Sequence, residues 1–157
     1  MAALFLTTFA AVFFYGGSPA RAPFQAPELA DFSSIRPAVS DREIAHFTSC
    51  SGPVRDNCVV DGDTFWYAGE KIRVADINTP EVSEPQCPRE AALGARATTR
   101  LQALLNEGAF TLASVDRDRD PYGRLLRTVT RDGTSLGAVL VREGLAEEWR
   151  GRRSGWC

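Results

Sequence analysis

The chain has one histidine, His46, and it precedes the motif-bearing part of the sequence. Acid–base or nucleophilic chemistry in that part therefore falls to carboxylates, arginines, hydroxyls or a metal rather than to an imidazole. Lysine is as scarce. Lys71 is the single lysine among 18 basic residues, which leaves arginine as the cation for bidentate phosphate contacts. Neither sign of charge is in excess: 18 basic and 20 acidic residues give a formal charge of -2, so any polyanion would need a local basic face. The four cysteines lack the C-x-x-C spacing of zinc sites. The apolar run Ala2 to Tyr15 is short of the ~20 residues that a spanning helix needs.

That run is followed by small residues and a Ser18-Pro19-Ala20 step before Arg21, the pattern of a signal-peptide core and cleavage site. The basic residues that usually precede such a core are missing, so residues 1–20 read either as a cleaved signal or as an uncleaved membrane anchor. Both send the chain out of the cytoplasm, to the periplasm or beyond. In an oxidising compartment an even number of cysteines suits disulfides. Four cysteines allow three connectivities, and the expectation adopted pairs Cys50 with Cys58 and Cys87 with Cys157.

At 157 residues and 44% hydrophobic, the chain supplies one ordinary core. Residues 21–47 are rich in proline, lack periodicity and read as a flexible linker, with a weak helical signal at 41–47. Residues 48–157 form the expected domain. Within it "NCVV", "TFWYA" and "KIRVADI" predict a three-stranded meander. "DINTPEVSEPQCP" ends it in a long loop, and "REAALGARATTRLQALLN" sets Leu93, Ala97, Leu101, Leu104 and Leu105 at helical spacing. "AFTLASV" and "LLRTVTR" predict two more strands around a polar loop. Asp132-Gly133 turns the chain into a short helix stopped by Gly144. The predicted class is α+β, mainly β: a five-stranded OB barrel with a helix between strands three and four and a short C-terminal helix.

Several polar constellations stand out. Asp61 and Asp63 flank a glycine at a strand turn, where carboxylates can meet a hard cation. Asn78, Thr79 and Glu81 offer an amide oxygen, a backbone carbonyl and a carboxylate able to orient or deprotonate water. Arg73 lies inside an apolar strand, where a guanidinium needs a partner, and Asp76 or Glu81 is a candidate. Arg124 follows the "DPYG" turn. "DRDRDPYGRLLR" imitates a calcium loop but has Pro121 and Arg127 where that loop needs glycine and glutamate, so it is no EF-hand.

Together "VVDGDTF", "IRVADINTPE", "DPYGR" and "LVREGLA" resemble the staphylococcal nuclease family, in order and spacing, over roughly residues 57–149. The resemblance implies an OB barrel and a calcium-dependent nuclease that acts as a monomer on DNA or RNA. It implies calcium contacts at Asp63, Asp61 and the Thr79 carbonyl, phosphate contacts at Arg73 and Arg124, and an attacking water served by Glu81. Asn78 departs from the family's aspartate. It keeps an oxygen donor but removes a formal charge, so weaker calcium binding is expected; Asp76, two residues earlier, is a candidate to compensate. The ending "RGRRSGWC" also departs, leaving no room for a long final helix; its basic "RGRR" reads by default as a solvated tail, with tracking of a nucleic-acid backbone as the alternative. Two other readings stand beside the nuclease. One is a binding module without turnover that uses arginines and Trp66, Tyr67 or Tyr122 on single strands. The other is an envelope interaction protein tethered by the uncleaved N-terminal segment.

Overall fold

The computed structural model describes residues 40–157 and Gly16. Contacts divide the chain into residues 1–35 and 36–157. The candidate signal or anchor segment and the proline-rich stretch up to residue 39 lie outside the described residues, Gly16 apart.

The elements follow one another as β1 (Thr48–Ser49), β2 (Cys58–Asp61), β3 (Thr64–Tyr67), β4 (Glu70–Val74), β5 (Ile77–Asn78), α1 (Pro88–Asn106), β6 (Thr111–Arg119), β7 (Leu125–Arg131), β8 (Thr134–Ser135), α2 (Leu136–Arg142) and β9 (Glu147–Glu148). The β-branched and aromatic residues of β2, β3 and β4 form the expected antiparallel meander. β4 then pairs in parallel with β7, and β7 with β6 in antiparallel, giving the order β1-β2-β3-β4-β7-β6 with β8 beside β7. β5 and β9 make a separate antiparallel ribbon.

The expected five-stranded barrel is not closed by strand pairing among the described residues. A turn at Ala75–Asp76 splits the predicted third strand into β4 and β5, and β5 leaves the main sheet to pair with β9. The main sheet is an open, mixed ladder ending at β1 and β6, with no pairing among the described residues that joins those ends. The fold is α+β, a mixed sheet with two helices.

Residues 40–47, expected as the end of a linker with a weak helical signal, are extended and packed. Glu43 bridges Phe110, Asp41 accepts hydrogen bonds from Thr111 and the Asp132 amide, and Phe47 is fully buried. Phe47 meets Phe65 edge-on at 5.7 Å and Tyr67 in a stacked pair at 6.0 Å, arrangements that suit the quadrupoles of the rings. Tyr67 is therefore part of this cluster, its hydroxyl bonded to Glu43, rather than a free platform for a base.

Helix α1 begins with a proline at its first turn and buries Glu90, Gly94, Ala97, Leu101, Leu104 and Leu105. The spacing is the apolar stripe anticipated, with one difference: Leu93 is half-buried, and Glu90 and Gly94 continue the stripe instead. The leucine end packs into the core, each side chain contributing about 1.5–3 kcal/mol. The Glu90–Gly94 end faces the loop after β5. Helix α2 is capped by Ser135, whose hydroxyl accepts from the Ala138 amide. It ends at Gly144, φ 70°, with Leu145 N donating to Leu140 O and Gly144 N to Val141 O, a Schellman motif. Disulfides join Cys50 to Cys58 and Cys87 to Cys157, the pairing expected. No helix among the described residues is long and apolar enough to cross a membrane.

A Cβ on Gly94 would stand 2.8 Å from the Pro80 carbonyl oxygen and 2.9 Å from that of Glu81. Helix propensity alone favours Gly94→Ala by about 1 kcal/mol. The clash with backbone should outweigh it, with a net loss of about 1–3 kcal/mol in urea unfolding; a variant more stable than the wild type would contradict the close packing.

Candidate active site

Three segments converge at one end of the sheet: the β2–β3 turn, the loop after β5 and the N-terminal half of α1. Gly62 shows how tightly. A Cβ there would lie 2.6 Å from that of Ala97 and 2.9 Å from Thr79 Cγ2, so only a glycine lets turn, loop and helix meet. The β3–β4 register sets Thr64 opposite Arg73 and brings Arg73 beside Asp63.

Asp63 is buried. Its carboxylate accepts from the Thr64 hydroxyl at 2.9 Å and pairs with Arg73 Nη2 at 3.2 Å. Arg73 also donates to the carbonyls of Val74 (2.8 Å) and Ile77 (3.2 Å) and lies over the Trp149 ring at 5.1 Å. A buried guanidinium this well satisfied is held in one place. Its acidic partner is Asp63, not the anticipated Asp76 or Glu81. Asp61 receives the Asp63 amide at 3.2 Å. Burial, then repulsion from Asp63 and Glu81, pushes its carboxyl up to about 7.

Asn78 is 2% exposed and donates through Nδ2 to Glu147 Oε1 at 2.9 Å, its neighbour across the β5–β9 ribbon. Burial opposes ionisation of Glu147, but hydrogen bonds from Ser154 and Asn78 outweigh it and hold the carboxyl below its usual range. Thr79 is buried against Gly62. Glu81 pairs with Arg153 of the C-terminal tail, and its amide donates to Glu90 Oε1 at 3.3 Å. Glu90, 4% exposed, also takes the Gln86 amide at 2.6 Å.

Arg124 is fixed by Asp120, Nε to Oδ2 at 2.6 Å, and lies over Tyr122 at 5.5 Å. Arg73, Arg124, Tyr122, Trp149 and Arg153 line one pocket of about 720 Å³. Asp61, Asp63, Asn78, Thr79 and Glu81 are not in its lining; Arg73 and Arg153, which touch Asp63 and Glu81, join the acidic end to the pocket. The structure thus brings the two predicted arginines together. Asp76 is not aimed beside Asn78 by strand alternation, although it lines the same pocket as Arg73. The turn at Ala75–Asp76 breaks the alternation that would have aimed it there, and its carboxylate takes the Ser135 hydroxyl at 2.6 Å.

Among the described residues no three His, Cys, Asp or Glu side chains group as metal ligands. The groups singled out from the sequence are two carboxylates, an amide oxygen and a backbone carbonyl, all oxygen, a set whose chemistry would fit a hard divalent cation. The mutual repulsion of Asp61, Asp63 and Glu81 is the field that such a cation relieves. Glu90, Glu147 and Trp149 were not singled out from the sequence, and Arg153 was noted only as part of the basic "RGRR" stretch. Glu90 had a readable signal, an acid four residues before Gly94 on a buried stripe, which demands donors around it.

These features define an α+β domain whose site sets acidic side chains against arginines at the end of a mixed sheet. The family model "Staphylococcal nuclease homologue" matches residues 71–154, and the chain belongs to that family. Endonuclease YncB of Bacillus subtilis (strain 168) is 39% identical over 92 residues, 55% of this chain and 43% of the relative. The SPbeta prophage-derived endonuclease YokF of the same strain is 40% identical over 92 residues, 55% of this chain and 31% of the relative. The chain spans less than half the length of these relatives.

A carboxyl raised from 3.8 to about 7 in the folded state stabilises the fold below pH 3.8 and withdraws that contribution as the pH climbs to about 7. In chelator, Asp61→Asn should therefore raise the melting temperature at about pH 8 and change it little at about pH 4. An equal effect at both would contradict the burial and crowding of Asp61.

Proposed function

We propose that this chain is an exported, calcium-dependent nuclease that hydrolyses phosphodiester bonds of DNA or RNA. The observation that carries the reading is the convergence of Arg73 and Arg124 on one pocket while Arg73 is locked to Asp63 of the acidic cluster. A phosphodiester gains negative charge as it is attacked, and fixed guanidiniums stabilise that charge without reorganising. The names of the two relatives, both endonucleases, support the same reading.

Calcium would be held by Asp63, the Asn78 amide oxygen and the Thr79 carbonyl, with Asp61 beside them. When bound it supplies Lewis-acid polarisation of a phosphoryl oxygen. Glu81 orients a water and accepts its proton, placed for this by the Glu90 contact to its amide. Arg73 and Arg124 hydrogen-bond the phosphate, each pre-set by a carboxylate that holds its fork in position. Two disulfides support the exported location, since such bonds persist in oxidising compartments.

A second reading, a nucleic-acid-binding domain without turnover, draws on the neutral Asn78 and on the engagement of its amide with Glu147. One cleavage assay separates the two. Single-stranded DNA is incubated with the protein in Ca2+, Mg2+, Mn2+ or chelator. The nuclease reading predicts divalent-dependent cleavage that Glu81→Gln lowers by about 10²–10⁴-fold. A salt-sensitive gel shift with no cleavage in any divalent ion would favour the second reading, and full activity in chelator would defeat the mechanism.

A further inference from the structure

The tail after β9 has no counterpart in the mechanism above, yet it is tied down at several points. The Trp149 amide donates to the Asp76 carbonyl at 2.9 Å, and the Ser154 amide to Glu147 Oε1 at 2.9 Å. Gly151, φ 77°, turns the chain between them, and Cys157 is fastened to Cys87 just before helix α1. These anchors hold the tail beside the pocket, and the residue they deliver to it is Arg153. Its guanidinium meets the Glu81 carboxylate and lines the same pocket as Arg73 and Arg124. Its neighbour Arg152 faces elsewhere, into a second concavity with Glu147 and Arg150.

We infer that Arg153, held in place by the Cys87–Cys157 strap, is a third substrate-binding guanidinium, one that contacts a backbone phosphate of the nucleic acid. The inference rests on the phosphodiester reading above. Three features carry it. Arg153 has one hydrogen-bond partner among the described contacts, so most of its five N–H donors remain for a ligand. Its partner Glu81 is an anionic, planar two-oxygen group, the acceptor that a phosphate reproduces. Its side chain is 58% exposed and open to the pocket, where a buried structural ion pair would exclude substrate. In the free protein the Glu81 carboxylate occupies the position of that phosphate; substrate takes over the guanidinium and leaves Glu81 free to serve water.

The test measures binding without cleavage. A fluorescein-labelled oligo-dT is titrated with the full chain in chelator by fluorescence anisotropy over a series of NaCl concentrations. Each phosphate contact to a single strand adds about 0.7 to the slope of log affinity against log salt. Arg153→Ala should lower that slope by about 0.7 and weaken binding about tenfold, whereas Arg153→Lys keeps most of the slope. Arg152→Ala, which removes the same charge one residue away, should leave the slope nearly unchanged. The Cys87→Ser/Cys157→Ser double variant, checked for folding by circular dichroism, should bind like Arg153→Ala and gain no further loss when the two are combined.

Equal effects of Arg152→Ala and Arg153→Ala would overturn the contact in favour of diffuse charge. So would an unchanged slope in Arg153→Ala, or a wild type that does not bind the oligonucleotide. Cleavage of the same oligonucleotide in Ca2+ is scored separately. A protein that binds with the predicted slope and never cleaves defeats the nuclease reading and leaves the Arg153 contact standing.

Discussion

The buried carboxylate of Glu90 ties the loop after β5 to helix α1 by taking the amides of Glu81 and Gln86. That tie has force because the helix and loop are already in backbone contact at Gly94, and the turn bearing Asp61 and Asp63 is pressed on both at Gly62. An unpaired carboxylate in such a place would cost several kcal/mol, so the loop cannot leave the helix without exposing or orphaning it. Thr79, Pro80 and Glu81 are thereby fixed relative to the leucine-packed end of α1, and so to the core. A site assembled from three segments acquires the rigidity of one.

Charge is distributed by the same economy. The chain is almost neutral, yet its arginines are posted individually: Arg73 on Asp63, Arg124 on Asp120, Arg153 on Glu81. Each pair sets a guanidinium beside the pocket; Asp63 and Glu81 stay out of its lining, whereas Asp120 shares it with Arg124. Asn78 belongs to this arrangement. An aspartate there would face Glu147 across the β5–β9 ribbon, two like charges in contact, whereas the amide donates to it. The amide of Asn78 and the carboxylate of Glu147 thus close the ribbon with one hydrogen bond.

Much of this was legible from sequence where the signal was local. The meander, the stripe on α1, the Asp132-Gly133 turn and the Gly144 stop each follow from residues a few positions apart. The family motifs singled out Arg73 and Arg124, which line one pocket, and Glu81, which meets that pocket through Arg153. What escaped depends on distant partners. β5 pairs with β9 rather than continuing β4, and the Asn78–Glu147 bond spans 69 residues, the Glu81–Arg153 pair 72. No window of the sequence contains both members of such a pair. Alternation does not run from Asp76 to Asn78 because a turn at Ala75–Asp76 breaks the strand, and residues 40–47 were read as linker because the prolines before them masked a buried anchor, Phe47.

The calcium site proposed above takes Asn78 as a neutral oxygen donor, and calorimetric titration of Ca2+ into the full chain and into Asn78→Asp tests that role. Weak but measurable binding to the wild type is expected, with an affinity at least about tenfold higher in the variant, since added ligand charge tightens calcium sites. Identical affinities, or no calcium binding to either protein, would contradict it.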